Sequence, residues 1–148
     1  MAVPFLACMA AVASFYHLPP HSLASIHAVE GGRVGLVSHN TNGTNDYGFM
    51  QVNSYWIAPI AARTAVAPDD VRDRLINDGC YNIAVAGMIL SGSRKEAHGN
   101  WMRAVGYYHS HTPSRGQAYR IRVINAALAL YFPAKPGSDK PRVFITPP

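Results

Sequence analysis

One polar segment, residues 38–53, interrupts a chain whose other patterned segments are apolar at helical spacing. The segment is rich in Asn, Thr and Gly, and it contains Asn42-Gly43, a pair typical of a tight β-hairpin turn. A small hairpin must bury one face against another layer of structure, and here only helices are available. We therefore expect a mostly helical α+β fold in which a small β-hairpin faces a helical lobe across a cleft.

The helical patterns on both sides of the hairpin have recognisable ends. Pro19-Pro20 stops the first helix, Gly31-Gly32 ends the second, and Pro68 opens a later one. The nearly all-apolar segment 80–91 is expected to be the buried central helix. The predicted helices cover residues 6–17, 22–30, a segment from 68 onward, 80–91, 100–108 and 114–131, with a polar loop at 92–99.

The last sixteen residues differ in composition from the rest of the chain. Residues 133–148 hold five of the eleven prolines, which favours an extended or disordered tail. The preceding residues have the usual size of one domain and are numerous enough to bury a core. The predicted organisation is therefore one domain over 1–132 and a Pro-rich tail over 133–148.

Composition narrows the class of protein. The 148 residues are 49% hydrophobic and 14% charged, which is typical of a globular chain. No stretch reaches about 18 uninterrupted apolar residues, so no membrane span is predicted. The formal net charge of +5 suits a polyanionic partner such as nucleic acid, anionic lipid or cell-wall polymer. No nucleic-acid partner is expected, because no helix-turn-helix, RNA-recognition or zinc pattern accompanies the charge.

Cys8 and Cys80 are the two cysteines, and neither lies in a pattern with zinc-ligand spacing. Their spacing alone leaves two free thiols and one disulfide equally open. A disulfide would indicate an exported protein and would stabilise the fold by on the order of 4 kcal/mol. The apolar start, residues 1–13, has no basic residue before it, so we do not expect an intact signal peptide there.

Carboxyl groups are scarce, with eight in the chain, so each candidate for acid–base chemistry can be weighed. Glu30 ends an apolar helix, and two glycines after it let another part of the chain approach. Burial against Ile26 and Val29, together with the negative end of the helix dipole, would raise its pKa. A protonated carboxyl in a cleft is suited to general-acid cleavage of a glycosidic bond, whereas a solvated carboxylate at a helix end is the simpler alternative.

Four blocks of residues after Glu30 form an ordered series that spans about residues 8–125 when Glu30 and Cys8 are included. The blocks are Gly48-Phe49-Met50-Gln51-Val52-Asn53, Cys80-Tyr81-Asn82-Ile83, Trp101-Met102-Arg103-Ala104-Val105-Gly106-Tyr107-Tyr108-His109, and Tyr119-Arg120. In this order they closely resemble the lysozyme-like superfamily, and best the lytic transglycosylases (SLT domain) that serve secretion, pilus and conjugation machineries. The resemblance implies a lysozyme-like fold and peptidoglycan glycan strands as the substrate.

The resemblance also implies roles for individual residues. Glu30 is expected to protonate the oxygen between N-acetylmuramic acid and N-acetylglucosamine, and then to act as base on the muramic 6-hydroxyl. This closes a 1,6-anhydro ring and needs no water, cofactor or metal. Met50 is expected to pack under the sugar ring, and Tyr108 to lie near Glu30. The residues expected to bind substrate are Gly48, Met50, Gln51, Asn53, Tyr107, Tyr108 and Tyr119.

Compartment and partners follow from the same resemblance. Relatives of this branch carry a disulfide at the positions of Cys8 and Cys80, which favours the bridge and a periplasmic or otherwise exported protein. The expected partners are peptidoglycan strands and proteins of a secretion, pilus or conjugation apparatus.

Several positions depart from the family pattern and leave alternatives open. Gly31 stands where Ser is usual, and His109-Ser110 stand where Asn-Ala is common. The segment around Asp46 also resembles c-type lysozymes, in which the matching Asp is a second catalytic carboxylate. A muramidase that uses Glu30 and Asp46 to hydrolyse the glycan is therefore the second hypothesis, although Asp46 could equally close the hairpin turn. A non-catalytic glycan-binding component of the apparatus is the third.

Overall fold

Seven helices and a three-stranded antiparallel sheet make up residues 3–137, the part of the chain that the computed structural model describes. This confirms the expected mostly helical α+β fold. The helices are α1 (Leu6–Phe15), α2 (Ser22–Glu30), α3 (Ile57–Thr64), α4 (Pro68–Asn77), α5 (Gly79–Glu96), α6 (Trp101–His109) and α7 (Pro113–Tyr131). The strands are β1 (Val37–His39), β2 (Asn45–Tyr47) and β3 (Val52–Asn53), and a 3₁₀ helix, Ser54–Trp56, follows β3.

The sheet has the strand order β1-β2-β3, and the predicted hairpin connects β1 to β2. The Asn40 N–H donates to the Thr44 carbonyl at 2.9 Å and closes the turn that contains Asn42 and Gly43. In the register, Asp46 lies opposite Ser38 on β1 and opposite Asn53 on β3. Asp46 therefore occupies the middle strand and has a polar neighbour on each side.

Helix α5 is the centre of the helical region, as its apolar sequence predicts. Ile83, Ala86 and Leu90 have no exposed surface, and α5 contacts α1, α2, α4 and α6. A disulfide joins Cys8 on α1 to Cys80 in the first turn of α5, with 5.6 Å between the two Cα atoms. Helix α7 packs against both α2 and α6, so its inner face reaches the end of α2 where the cleft begins.

The predicted polar loop at residues 92–99 is wrong over its first half, because α5 continues to Glu96. Arg94, Lys95 and Glu96 all favour helix, and together they outweigh the cost of about 1 kcal/mol that Gly92 imposes inside a helix. Arg94 also donates to the His17 carbonyl at 3.0 Å, which ties this last turn to the end of α1.

The structure also differs from the prediction at α3 and at the start of α7. Helix α3 was not predicted, because it is short and contains Pro59 within its apolar pattern of Ile57, Ile60 and Ala61. Proline is tolerated at this position because it lies in the first turn of the helix. Helix α7 begins at Pro113, one residue before the predicted start at 114, because proline already has the backbone angle that a first helical residue requires.

The chain leaves α7 at Tyr131, close to the predicted domain end at 132. Most of the predicted Pro-rich tail, 133–148, lies outside the described residues, which end at 137. Among the described helices, none combines the length and the apolar character that a membrane crossing requires.

Candidate active site

A cleft of about 1080 Å³ lies between the sheet and the helical region. One wall contains the carboxyl group that ends α2, and the facing wall contains the polar side chains of β2 and β3. Helix α6 contributes two tyrosines to the same cleft. The cleft-lining residues that the sequence singled out are Glu30, Asp46, Gln51, Asn53, Tyr107 and Tyr108.

The two glycines after Glu30 have different structural purposes. Gly31 has φ of 64°, the left-handed conformation that commonly terminates a helix, and it ends α2 directly after the carboxylate. At Gly32 a Cβ would clash with the backbone oxygens of Gly48 and Phe49. Glycine at position 32 therefore lets the turn after Glu30 touch the segment between β2 and β3, which brings the acid to the edge of the sheet.

Tyr119 holds the Glu30 carboxyl group in place. Its O–H donates to Glu30 Oε1 at 2.6 Å and links α7 to α2 across 89 residues of sequence. Burial raises the pKa of Tyr119, and the nearby charge of Glu30 raises it further, so the hydroxyl remains a donor over the physiological pH range. Because this bond engages Oε1, the second oxygen of Glu30 is the atom that can carry a transferable proton.

The pKa of Glu30 is raised, mainly because burial disfavours the charged carboxylate. The hydrogen bond from Tyr119 lowers the pKa, the negative charge of Asp46 raises it, and the guanidinium of Arg122 lowers it. Burial is the largest of these effects and determines the direction. A carboxyl group of this kind retains its proton at higher pH than an exposed glutamate does, which suits a general acid.

Asp46 has the opposite environment on the facing wall. Its Oδ2 accepts from Asn40 Nδ2 at 2.9 Å, and its Oδ1 accepts from Asn53 Nδ2 at 2.9 Å. Two amide donors stabilise a negative charge at this position and fix the carboxylate to the sheet. The structure thus brings both predicted carboxyl groups to one cleft and binds Asp46 into the hairpin as well.

The residues of the loop between β2 and β3 were expected to bind substrate, but the structure places most of them differently. Met50 is 0% exposed and belongs to the core, so the predicted packing of its side chain under a sugar ring is wrong. Gly48 does not line the cleft either, because it fits against the Leu75 carbonyl, where a Cβ would clash. Gln51 does line the cleft, but its amide is bonded within the protein: Oε1 accepts from the Ser38 hydroxyl at 2.6 Å, and Nε2 donates to the Gly48 carbonyl at 2.9 Å.

Asn82 positions this loop from below, a role that sequence reasoning missed. Its side chain is fully buried on α5, and Oδ1 accepts from the Met50 N–H at 2.8 Å. Its Nδ2 donates to the carbonyls of Tyr47 and Leu75 at 2.8 and 2.7 Å. An Asn inside an apolar helix is the pattern that could have identified it, since a buried amide requires partners.

The aromatic residues of α6 and α7 complete the helical wall. Tyr108 O–H donates to the Met50 carbonyl at 3.4 Å, and burial raises its pKa. Tyr119, which was expected to bind substrate, is 2% exposed and is not among the residues that line the cleft; its hydroxyl is bonded to Glu30 instead. The ring of His109, which the sequence did not single out for the site, stacks on Tyr119 with centroids 4.7 Å apart and lines the cleft.

Over the described range, 3–137, no three His, Cys, Asp or Glu side chains stand close enough together to hold a metal ion. The pair His109 and His111 lacks a third ligand there, and His111 is bonded to Glu96 at 2.8 Å.

Comparison with known proteins agrees with the geometry of this cleft. The chain is 30% identical over 88 residues to the invasion protein IagB of Salmonella typhimurium (two strains) and of Salmonella typhi. The aligned part is 60% of this chain and 51% of IagB, so the chain spans about half the length of the curated relatives it matches. The family described as "Transglycosylase SLT domain" matches residues 7–121, from α1 through the Tyr119 segment of α7. With most of its length matched, the chain belongs to the transglycosylase SLT domain family.

Proposed function

We propose that this protein is a peptidoglycan lytic transglycosylase that cleaves the β-1,4 bond between N-acetylmuramic acid and N-acetylglucosamine and forms 1,6-anhydro-N-acetylmuramic acid. The observation that carries the proposal is the buried Glu30 carboxyl, oriented by Tyr119 and facing a cleft of polymer-binding size. Family membership supports the transglycosylase class and peptidoglycan as substrate.

In the first step Glu30 acts as the general acid. Its raised pKa keeps the proton available, and transfer to the bridging oxygen allows the bond from the muramic C1 to that oxygen to break. The N-acetylglucosamine product leaves with the proton as a hydroxyl group. Tyr119 then stabilises the new Glu30 carboxylate through the same 2.6 Å hydrogen bond, because donation to a charged oxygen is stronger than donation to a neutral one.

In the second step the ionised Glu30 acts as the base. It takes the proton of the muramic 6-hydroxyl while O6 bonds to C1, which closes the anhydro ring and returns Glu30 to its protonated form. The balance requires no water and no redox partner. Asp46 contributes a negative charge across the cleft, where positive charge develops at C1 in the transition state.

Asp46 also gives a second candidate function, a muramidase that hydrolyses the same bond. A carboxylate on the opposite wall from the acid is the arrangement that glycoside hydrolases use to activate water or form a covalent intermediate. The transglycosylase is favoured, since Asn40 and Asn53 each donate to one Asp46 oxygen and hold the carboxylate in the sheet.

The cellular setting is part of the proposal. We infer an exported, periplasmic protein that opens the wall locally for a secretion, pilus or conjugation apparatus. Three observations support this setting: the SLT family match, the disulfide between Cys8 and Cys80, and the similarity to IagB, which is named an invasion protein.

The decisive experiment is mass spectrometry of the muropeptides that the protein releases from purified peptidoglycan. Products one water lighter than reducing sugars are expected and would identify the anhydro-forming reaction. Reducing ends would establish the muramidase instead, with Asp46 as catalytic partner. Intact glycan in the presence of a folded protein would leave only the glycan-binding hypothesis.

A further inference from the structure

A second cavity, of about 450 Å³, opens between α6 and α7 beside the main cleft. Tyr107, Ser110 and His111 line both spaces, so the two cavities adjoin at the turn that joins the helices. The side walls of the second cavity carry two guanidinium groups, Arg103 from α6 and Arg120 from α7. A branch of a polymer bound in the main cleft could therefore enter this space.

Backbone forms the floor of the second cavity. Gly106 on α6 and Gly116 on α7 both line it, and a Cβ on Gly106 would lie 3.2 Å from the Gly116 carbonyl oxygen. Both positions are glycine because the helices cross so closely. The floor therefore has no side chain of its own, and the cavity is open to an extended chain between the two arginines.

Among the described residues, the two guanidinium groups of this cavity form no ion pair. The ion pairs of the described residues are Arg72 with Asp69 and His111 with Glu96, and neither Arg103 nor Arg120 takes part in one. Among the described residues no carboxylate lines the cavity; Glu96 lines the main cleft and pairs with His111, which leaves the two guanidinium groups without a carboxylate partner. Thr112 and Gln117 add polar groups at its edge. Paired guanidinium groups beside hydrogen-bonding side chains are suited to carboxylates.

We propose that the second cavity binds the carboxylates of the stem peptide attached to the muramic acid while the glycan strand occupies the main cleft. The proposal rests on the proposed function for its substrate, and it adds a specificity for peptide-bearing strands. The peptide is a flexible acidic chain that branches from the glycan, and a positively charged groove beside the glycan site matches such a branch.

The test compares two substrates and two charge-removing variants. Cleavage rates are measured on peptide-bearing glycan and on strands from which an amidase has removed the peptides. The test variant is the double substitution Arg103→Gln with Arg120→Gln. The matched control is Arg63→Gln, an exposed guanidinium on α3 that lines neither cavity.

For the double variant we expect kcat/KM on peptide-bearing glycan to fall about tenfold, as for the loss of two solvent-accessible ion pairs. Its rate on peptide-free strands should stay within about twofold of wild type, as should both rates of the control. Equal losses on both substrates, or no loss on either, would overturn the proposal.

A binding measurement separates this proposal from the proposed function. Calorimetry uses a disaccharide tetrapeptide and the same compound with its carboxylates amidated. The wild type should prefer the free acid by about tenfold, and the double variant should lose that preference. If the wild type cleaves neither glycan, the proposed function fails. A preference of the wild type for the free acid in calorimetry would still support peptide binding in the second cavity. Equal affinity of the wild type for the acid and the amide would refute the proposal that the second cavity binds the peptide carboxylates.

Discussion

Glu30 and Asp46 face one cleft from two regions that treat a carboxyl group in opposite ways. The helical region buries Glu30 at the end of α2 against α7, where Tyr119 is its hydrogen-bond donor among the described residues. The sheet holds Asp46 at its middle strand and supplies two amide donors, Asn40 and Asn53. One environment disfavours the negative charge and the other stabilises it.

The difference teaches that the environment, and not the chemical group, assigns the roles across this cleft. Removal from water favours the protonated form of Glu30, which can donate its proton, whereas hydrogen bonds to both oxygens hold the Asp46 carboxyl in one position. The two carboxyl groups therefore have separate roles: Glu30 can transfer a proton, whereas Asp46 is hydrogen-bonded within the hairpin. Each of the following predictions tests one side of this contrast against the other.

The largest expected effect is on activity. Glu30→Gln should lower the rate of muropeptide release by at least about 10³-fold, because it removes both the acid and the base. Asp46→Asn, which keeps the size of the side chain, should lower it by no more than about tenfold if its charge is only an electrostatic aid. An Asp46→Asn loss as large as that of Glu30→Gln would overturn the division of roles and favour the muramidase.

The contact between the two regions depends on Gly32. Gly32→Ala should destabilise the fold by about 3 kcal/mol, because the added Cβ clashes with the oxygens of Gly48 and Phe49. Gly31→Ala is the matched control, since its Cβ meets nothing within 4 Å and only the positive φ opposes it. That substitution should cost about 1 kcal/mol. Urea unfolding of both variants gives the comparison, and equal losses would mean that close approach is not the constraint.

Substitution of Tyr119 tests how its hydrogen bond affects the pKa and the orientation of Glu30. The bond from Tyr119 lowers the pKa of Glu30, so Tyr119→Phe should raise that pKa and move the alkaline limb of the activity profile to higher pH. The maximal rate should fall about tenfold as Glu30 loses its orientation. Tyr131→Phe, on the same helix but outside the cleft, is the control. A uniform loss at every pH would indicate a structural role alone.

The smallest predicted effect concerns stability, where the two carboxyl groups should differ in sign. The pKa of Glu30 is above its ordinary value of 4.5, so ionisation above the raised pKa costs folding free energy, and no cost exists well below 4.5. Glu30→Gln should therefore raise Tm by on the order of 2 °C at pH 7 and leave it unchanged near pH 3.

Asp46→Asn should instead lower stability by about 1 kcal/mol at pH 7, because two amide donors lose their charged acceptor. Thermal melts of both variants at both pH values measure the contrast. Stabilisation by both substitutions, or by neither, would mean that the two environments differ less than their hydrogen bonds indicate.

Several features of the cleft were predictable because short segments encode them. The Asn42-Gly43 turn, the end of α2 at Glu30 and the central helix from Cys80 all follow from neighbouring residues. Met50 was misassigned for a related reason: a motif gives the order of side chains along the loop but not which of them points into the core. Burial of Met50 depends on α5, whose Asn82 draws its backbone inward.

The second cavity could not be predicted in the same way. Arg103 and Arg120 are seventeen residues apart in sequence and lie on different helices. The close crossing at Gly106 and Gly116 brings them to one groove, and that crossing is a property of helix packing.

Local patterning was sufficient to place an acid at a helix end, a hairpin after it and a buried helix beyond, because turns, caps and periodicity act within a few residues. The sequence also predicted a raised pKa for that acid, but only the tertiary structure supplies the burial and the partner that determine it. The partner of Glu30 is Tyr119, 89 residues away, and α7 must pack against α2 before the carboxyl leaves water. Desolvation depends on everything that surrounds a group, so the raised pKa of Glu30 belongs to the assembled fold and not to any segment of the chain.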